Sequence, residues 1–230
     1  MANILHIESA INICSIAISK DAEMIAFQEI QEANHAAQIT LLIDTCLKQA
    51  GLTIKDLDAV ALSNGPGSYT SLRIGASTAK GICYALSIPL IAVDTLEALA
   101  LAAYKAIGDE NALYCPMIDA RRMEVYMALY RPNREEVALE LPMSPKILDE
   151  HSFSDYFEKN QRIVFCGNGA DKFKNVCLSA HATFMGVTNS AQHIVPIGIK
   201  YYEKTQFVDT AYHTPEYLKL PNIILSDKRL

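Results

Sequence analysis

The chain reads as an α/β protein of two similar lobes, each a mixed sheet flanked by helices. Three observations lead there. The first hundred or so residues run in the order β-β-β-α-β-α-β-α, which places an antiparallel edge on an otherwise parallel sheet with helices on its faces. Past Gly108 the order β-β-β-α-β recurs in reduced form, as expected of a duplicated unit. No Ser/Pro-rich linker separates the halves, so the boundary falls near 100–110. The expected organisation is a first lobe over 1–106, joined by a helix near 190–207. A second, reduced lobe covers 107–189, and an extended tail covers 208–230.

Each element has its own signal. "NILHIES" (3–9), "ICSIAIS" (13–19) and "MIAFQEI" (24–30) are short β-type runs at meander spacing. In 35–51 the residues Ile39, Leu42, Ile43, Cys46 and Leu47 recur at three- and four-residue steps, and Gly51 supplies the helix stop. "LDAVALS" (57–63) is a buried strand, 71–86 a helix, "PLIAVDT" (89–95) a strand and 95–107 a helix. In the second half, 112–120 and 124–132 form a hairpin around Arg121 and Arg122, and 136–142 is a third strand. A helix over 151–160 follows, then a strand and glycine turn over 162–171, and a short helix over 171–179. The pattern of 190–207 predicts a helix, with Pro196 in its first turn or kinking it. The tail 209–230 has no periodicity and is expected to lie extended on the body, frayed at its end.

Composition narrows the function classes. Of 230 residues half are apolar, enough for a sizeable core. The net charge of −6 argues against a protein that grips nucleic acid by itself, although a local basic patch such as Arg121–Arg122 remains open. Six cysteines never form a CxxC pair, and no leader pattern opens the chain, so reduced, mostly buried thiols in a cytoplasmic protein are expected. No apolar run reaches the roughly 18 residues of a membrane span.

The stretch "SNGPGSYTSLRIG" (63–75) matches no nucleotide or nucleophile loop. Gly65 is not followed by a P-loop lysine, Ser68 follows Gly67 too closely for a nucleophile elbow, and Thr70 stands where a dinucleotide loop has its third glycine. Downstream, Ser71, Gly75 and Ala79 lie four apart on one helical face. Mid-helix glycine costs about 0.5–1 kcal/mol relative to alanine, and this helix has two, Gly75 and Gly81. A face so cleared either packs on the chain's own sheet or receives a second protein. Asp119 is expected to order the turn before Arg121. Arg73 either forms an ion pair within the chain or reaches an acidic group on a partner.

"GPGSYTSLRIG" (65–75) resembles the G-P-G-[SG]-[FY]-T-G-L-R-[IV]-G signature of the bacterial TsaB (YeaZ) family. "DARRMEVYMALY" (119–130), "ILHIESAINICSIAI" (4–18) and "TPEYLK" (214–219) resemble three further segments of that family, in the same order along the chain. The resemblance implies the two-lobed fold of the actin, Hsp70 and sugar-kinase (ASKHA) superfamily. It further implies a non-catalytic part in making N6-threonylcarbamoyladenosine (t6A) in tRNAs that read codons beginning with A. In this reading the first lobe docks on a TsaD-type catalytic subunit, a TsaE-type ATPase joins, and tRNA is met indirectly through the complex. Partner-binding positions would be His35, Ser71, Arg73, Gly75 and Ala79, with Gly65, Pro66, Gly67, Ser68, Tyr69 and Thr70 as a structural loop. No catalytic or metal residue and no cofactor is expected of the chain alone, though ATP or ADP could lie at the interface of the complex. A homodimer is expected when the partner is missing.

The residues agree with shed chemistry. The histidines at 6, 35, 151, 181, 193 and 213 include no pair three to five apart that could grip one ion from a helix face. Nucleotide-binding members of the superfamily carry D-x-G at the first β-turn, where this chain has Glu8-Ser9-Ala10. The alternative reading is an enzyme of the same superfamily, either an ATP-dependent phosphotransferase or a metallo-glycopeptidase.

Overall fold

The computed structural model describes residues 2–31 and 35–219. Two five-stranded sheets share one topology. In the first, β1 (Asn3–Glu8), β2 (Cys14–Lys20), β3 (Glu23–Ile30), β4 (Ala59–Ser63) and β5 (Leu90–Val93) lie in the order β3-β2-β1-β4-β5. The meander β1–β3 is antiparallel, whereas β4 and β5 run parallel to β1. In the second, β6 (Leu113–Asp119), β7 (Glu124–Asn133), β8 (Glu136–Ile147), β9 (Ile163–Cys166) and β10 (Ala182–Phe184) repeat the order as β8-β7-β6-β9-β10. Such a repeat of a meander followed by parallel strands is the lobe pattern of the actin, Hsp70 and sugar-kinase fold.

Long helices cover both faces of the first sheet. α1 (His35–Ala50) and α2 (Tyr69–Leu86) pack on its outer face, where Leu5, Ile7, Ile16, Val60 and Leu62 meet Ile39, Ile43, Cys46, Ala76 and Cys83. Each such fully buried aliphatic chain contributes about 1.5–3 kcal/mol. α3 (Thr95–Ile107) and α6 (Ala191–Glu203) lie between the two sheets. Their core joins Ile4, Ala61 and Val93 of the first sheet to Tyr114, Ala128 and Val164 of the second. The alternation along β1 explains this: Ile4 points to the inner core and Leu5 to the outer one, so both faces are apolar. Helix ends follow local chemistry. Ser68 caps α2, Asp94 caps α3 by accepting from the Leu96 N–H, and Gly108 ends α3 at φ +72°.

The second sheet departs from the sequence reading in detail. β8 continues to Ile147, past Pro142 and Pro145, because it is an edge strand where a missing N–H is tolerated. The helix expected over 151–160 shrinks to α4 (Ser154–Phe157), after Phe153 at φ +69°. The helix expected over 171–179 is α5 (Ala170–Lys174). Strand β10 had no legible pattern at three residues. The helix near 190–207 spans 191–203 with Pro196 inside it, and it packs on the first sheet.

From Val208, bridged to Leu90, the tail crosses the first lobe without regular structure. Lys80 donates to the carbonyls of Ala211 and His213, and the Glu216 N–H donates to the Asn64 carbonyl. Lys219 then pairs with Glu124 of the second lobe at 2.5 Å. The end of the 209–230 tail, expected to fray, lies outside the described residues, as does the side chain of His35.

Candidate functional site

The glycine loop between β4 and α2 lies against the chain's own backbone. Gly65 sits at φ +109°, and a Cβ there would stand 2.7 Å from the Glu216 carbonyl oxygen of the crossing tail. A Cβ on Gly67 would meet the Ala10 carbonyl at 2.3 Å, and the Ser68 N–H donates to that same oxygen at 2.6 Å. The Ser9 N–H donates to Ser63 Oγ. The β1–β2 turn is thus filled from above by Gly67 and Ser68. Two motifs about 150 residues apart, "GPGSYT" and "TPEYLK", touch here.

Under this loop Glu8 is buried. Burial pushes its carboxyl up to about 7, although hydrogen bonds from Ala10, Ser63, Asn189 and Ser9 pull it back. Its Oε1 accepts from the Ala10 N–H at 2.6 Å. Asn189 beside it is buried, and neither of its amide atoms has a well-formed hydrogen bond. The nearby Cys14 thiol is pushed up to about 12, by burial first and then by Glu8.

The small-residue face of α2 corrects an expectation. Gly75 and Ala79 turn inward: a Cβ on Gly75 would stand 2.2 Å from Ser9 Oγ, and Ala79 is buried in the outer core. Neither can touch a partner, because β1 needs the space. Ser71 is half-buried, and its hydroxyl donates to Ser68 Oγ within the helix cap. The face that α2 shows to solvent carries Thr70, Arg73, Ser77, Gly81 and Tyr84, again at three- and four-residue steps. Gly81 has nothing within 4 Å of its would-be Cβ. Its missing side chain answers no need inside the chain.

Between α1 and α2 this face opens into a groove of two adjoining cavities. One, about 490 Å³, is lined by Ile39, Thr40, Thr70, Arg73, Ile74 and Ser77 with Tyr69 and Thr78. The other, about 660 Å³, runs over Ile43, Leu47, Leu52, Ile54, Gly81 and Ile82. At the first end the Arg73 guanidinium lies 4.3 Å over the Tyr69 ring, and Tyr69 packs on Tyr217 at 4.7 Å. Sequence reasoning noted Gly81 without assigning it to this face, and it missed Tyr217. The mid-helix glycine was the available signal.

On the second lobe Asp119 orders the β6–β7 turn by accepting from the Arg121 N–H and from Lys172. Arg121 and Arg122 are exposed at φ +73° and +46°, and neither has an ion pair among the described residues. No group of three or more His, Cys, Asp or Glu side chains gathers as metal donors among the described residues. All six cysteines are free, and five are buried. No described helix is long and apolar enough to cross a membrane.

Residues 26–208 match the family model described as TsaD, tRNA N6-adenosine threonylcarbamoyltransferase. The tRNA threonylcarbamoyladenosine biosynthesis protein TsaB of Buchnera aphidicola is 30% identical over 201 residues, covering 85% of this chain and 88% of that protein. The TsaB of Bacillus subtilis is 28% identical over 221 residues, covering 94% of each. Among solved structures, YeaZ from Pseudomonas aeruginosa superposes with a TM-score of 0.83 at 23% identity, over 95% of this chain and all of that one. On this likeness in sequence along nearly its whole length, the chain belongs to the TsaB (YeaZ) family of tRNA threonylcarbamoyladenosine biosynthesis proteins.

Proposed function

We propose that this protein is a non-catalytic, activating subunit of the cytoplasmic machinery that makes t6A in tRNA. It docks the α1–α2 face of its first lobe on a TsaD-type catalytic subunit and supports recruitment of a TsaE-type ATPase. The observation that carries the reading is Gly81 at the floor of an apolar groove. A glycine that lowers helix stability by about 0.5–1 kcal/mol and clears nothing within the chain clears room for a neighbour. The filled β1–β2 turn favours a frame without its own phosphate site. ATP or ADP would then bind at the interface of the assembled complex, tRNA would be met through that complex, and the exposed groove would pair two copies when the partner is absent.

The test is reconstitution of tRNA modification with and without this chain, with gel filtration of the heterodimer. Modification is expected to need the chain, and Gly81→Leu is expected to abolish the heterodimer while leaving the fold intact. Full modification in its absence would overturn the reading. Stoichiometric binding of Mg-ATP by the isolated chain, with turnover, would favour a phosphotransferase.

A further inference from the structure

The Tyr69 end of the groove has a composition of its own. Among the described residues lining it, Arg73 is the one charged group, and no carboxylate faces it. Thr40, Thr70 and Ser77 add hydroxyl donors around the same space, while Thr78 spends its hydroxyl on the Ile74 carbonyl. Arg73 has no ion pair among the described residues, in a chain whose net charge is −6. A guanidinium with hydroxyl donors and no acid is a receptor for a carboxylate. In the adjoining cavity Ile43, Leu47, Leu52, Ile54 and Ile82 form an apolar wall beside a few hydroxyls, and its charged pair, Asp44 and Lys48, is already satisfied at 2.6 Å. An occupant of the whole groove must therefore carry an acid at one end and an apolar face at the other. An amphipathic protein helix has both along one length, which matches two cavities lying end to end between α1 and α2.

Arg73 is also held in place. Its guanidinium lies over the Tyr69 ring, and Tyr69 packs on Tyr217. Tyr217 belongs to the tail, which is pinned on one side of it by the Glu216 N–H to the Asn64 carbonyl and on the other by Lys219 to Glu124. Pro215 is buried in the same crossing. A guanidinium already ordered by stacking loses less freedom when it pairs.

We propose that Arg73 is the carboxylate-binding post of the docking face, and that the tail positions it through the Tyr217–Tyr69 stack for an acidic side chain on an amphipathic helix of the catalytic partner. This rests on the docking reading above and adds the chemistry of the contact. Tyr217 is a positioning residue, and its hydroxyl, which is buried without a partner, takes no part.

Titration calorimetry of the full chain with the TsaD-type subunit at low and high salt tests it. For the wild type, affinity falls as salt rises. Arg73→Gln is expected to weaken binding about tenfold, the scale of one well-placed interfacial charge, and to flatten the salt dependence. Tyr217→Ala is expected to move both readouts the same way with the melting temperature of the isolated chain little changed, and Tyr217→Phe is expected to behave as wild type. A merely structural role for Tyr217 would lower the melting temperature and leave the salt dependence intact. If the wild-type heterodimer forms and Arg73→Gln binds equally well with the same salt dependence, this inference fails and the docking reading stands. If no heterodimer forms, both fail. Equal loss on Arg73→Gln and Tyr217→Phe would overturn the positioning role.

Discussion

The two lobes share a strand order and differ in what covers their outer faces. The first lays two long helices, α1 of 16 residues and α2 of 18, over its sheet. Among the described residues the second has α4 and α5, of 4 and 5 residues. In their place Phe153, Phe165, Phe173 and Phe184 pack ring on ring at centroid distances from 4.9 to 6.0 Å. Large rings bury much area per residue, so a short segment can close a sheet face that would otherwise need a helix pair. The difference shows how a duplicated frame can be reduced. The lobe with the α1–α2 groove keeps its helices, and the other keeps only enough cover to fold.

The sharpest way to break this comparison is Phe173→Ala. Phe173 is fully buried and touches three of the other rings, so its loss should destabilise by about 3–5 kcal/mol. Denaturant unfolding measures it, and a loss under about 1 kcal/mol would deny the rings their covering role. Glu8→Gln comes next. The folded state raises the Glu8 pKa from 4.5 to about 7, so the neutral form is favoured and stability falls as pH rises from about 4.5 to about 7. The variant should gain about 2–3 kcal/mol at pH 8 and nothing at pH 4, read from urea midpoints at both. Buried His6, lowered to about 3 by desolvation, has the opposite sign and weakens the fold as acid charges it below its ordinary 6.5.

The glycines of α2 sharpen the comparison within the first lobe. Gly75→Ala meets Ser9 Oγ and should destabilise by about 1–3 kcal/mol. Gly81→Ala meets nothing and should stabilise the isolated chain by about 0.5–1 kcal/mol. Thermal melts of the pair should move in opposite directions, and a common direction would remove the distinction between inner and outer faces. The smallest effect belongs to the exposed ion pairs, Lys48–Asp44 on one lobe and Arg131–Glu140 on the other. Replacing Lys48 or Arg131 by alanine should shift stability by no more than about 0.5 kcal/mol in either lobe.

Much of the frame was legible because its signals are local. The α3 bounds 95–107 follow from Asp94, Gly108 and the apolar spacing between them. The α4 region misled because 151–160 has helical spacing, while Phe153 adopts a left-handed backbone and turns its ring to the aromatic cluster. Tertiary packing overrode propensity there. The α1–α2 face was half legible. Periodicity located a stripe of small residues on α2 but gave no sign of which stripe faces the sheet, since Gly75 and Gly81 look alike in sequence.

By itself the amino-acid order determined the repeated strand–helix pattern, the glycine loop before α2 and the two glycines within it, and the want of paired histidines and of a D-x-G turn, because each depends on neighbours a few residues apart. The tertiary structure decided that the glycine loop serves the tail and the β1–β2 turn, that Arg73 stacks on Tyr69 beside Tyr217, and that Glu8 is closed off from water. Those outcomes depend on contacts that bring the tail, the glycine loop and the first strand together from distant parts of the chain, and a local pattern carries no record of which distant atoms will remove its water.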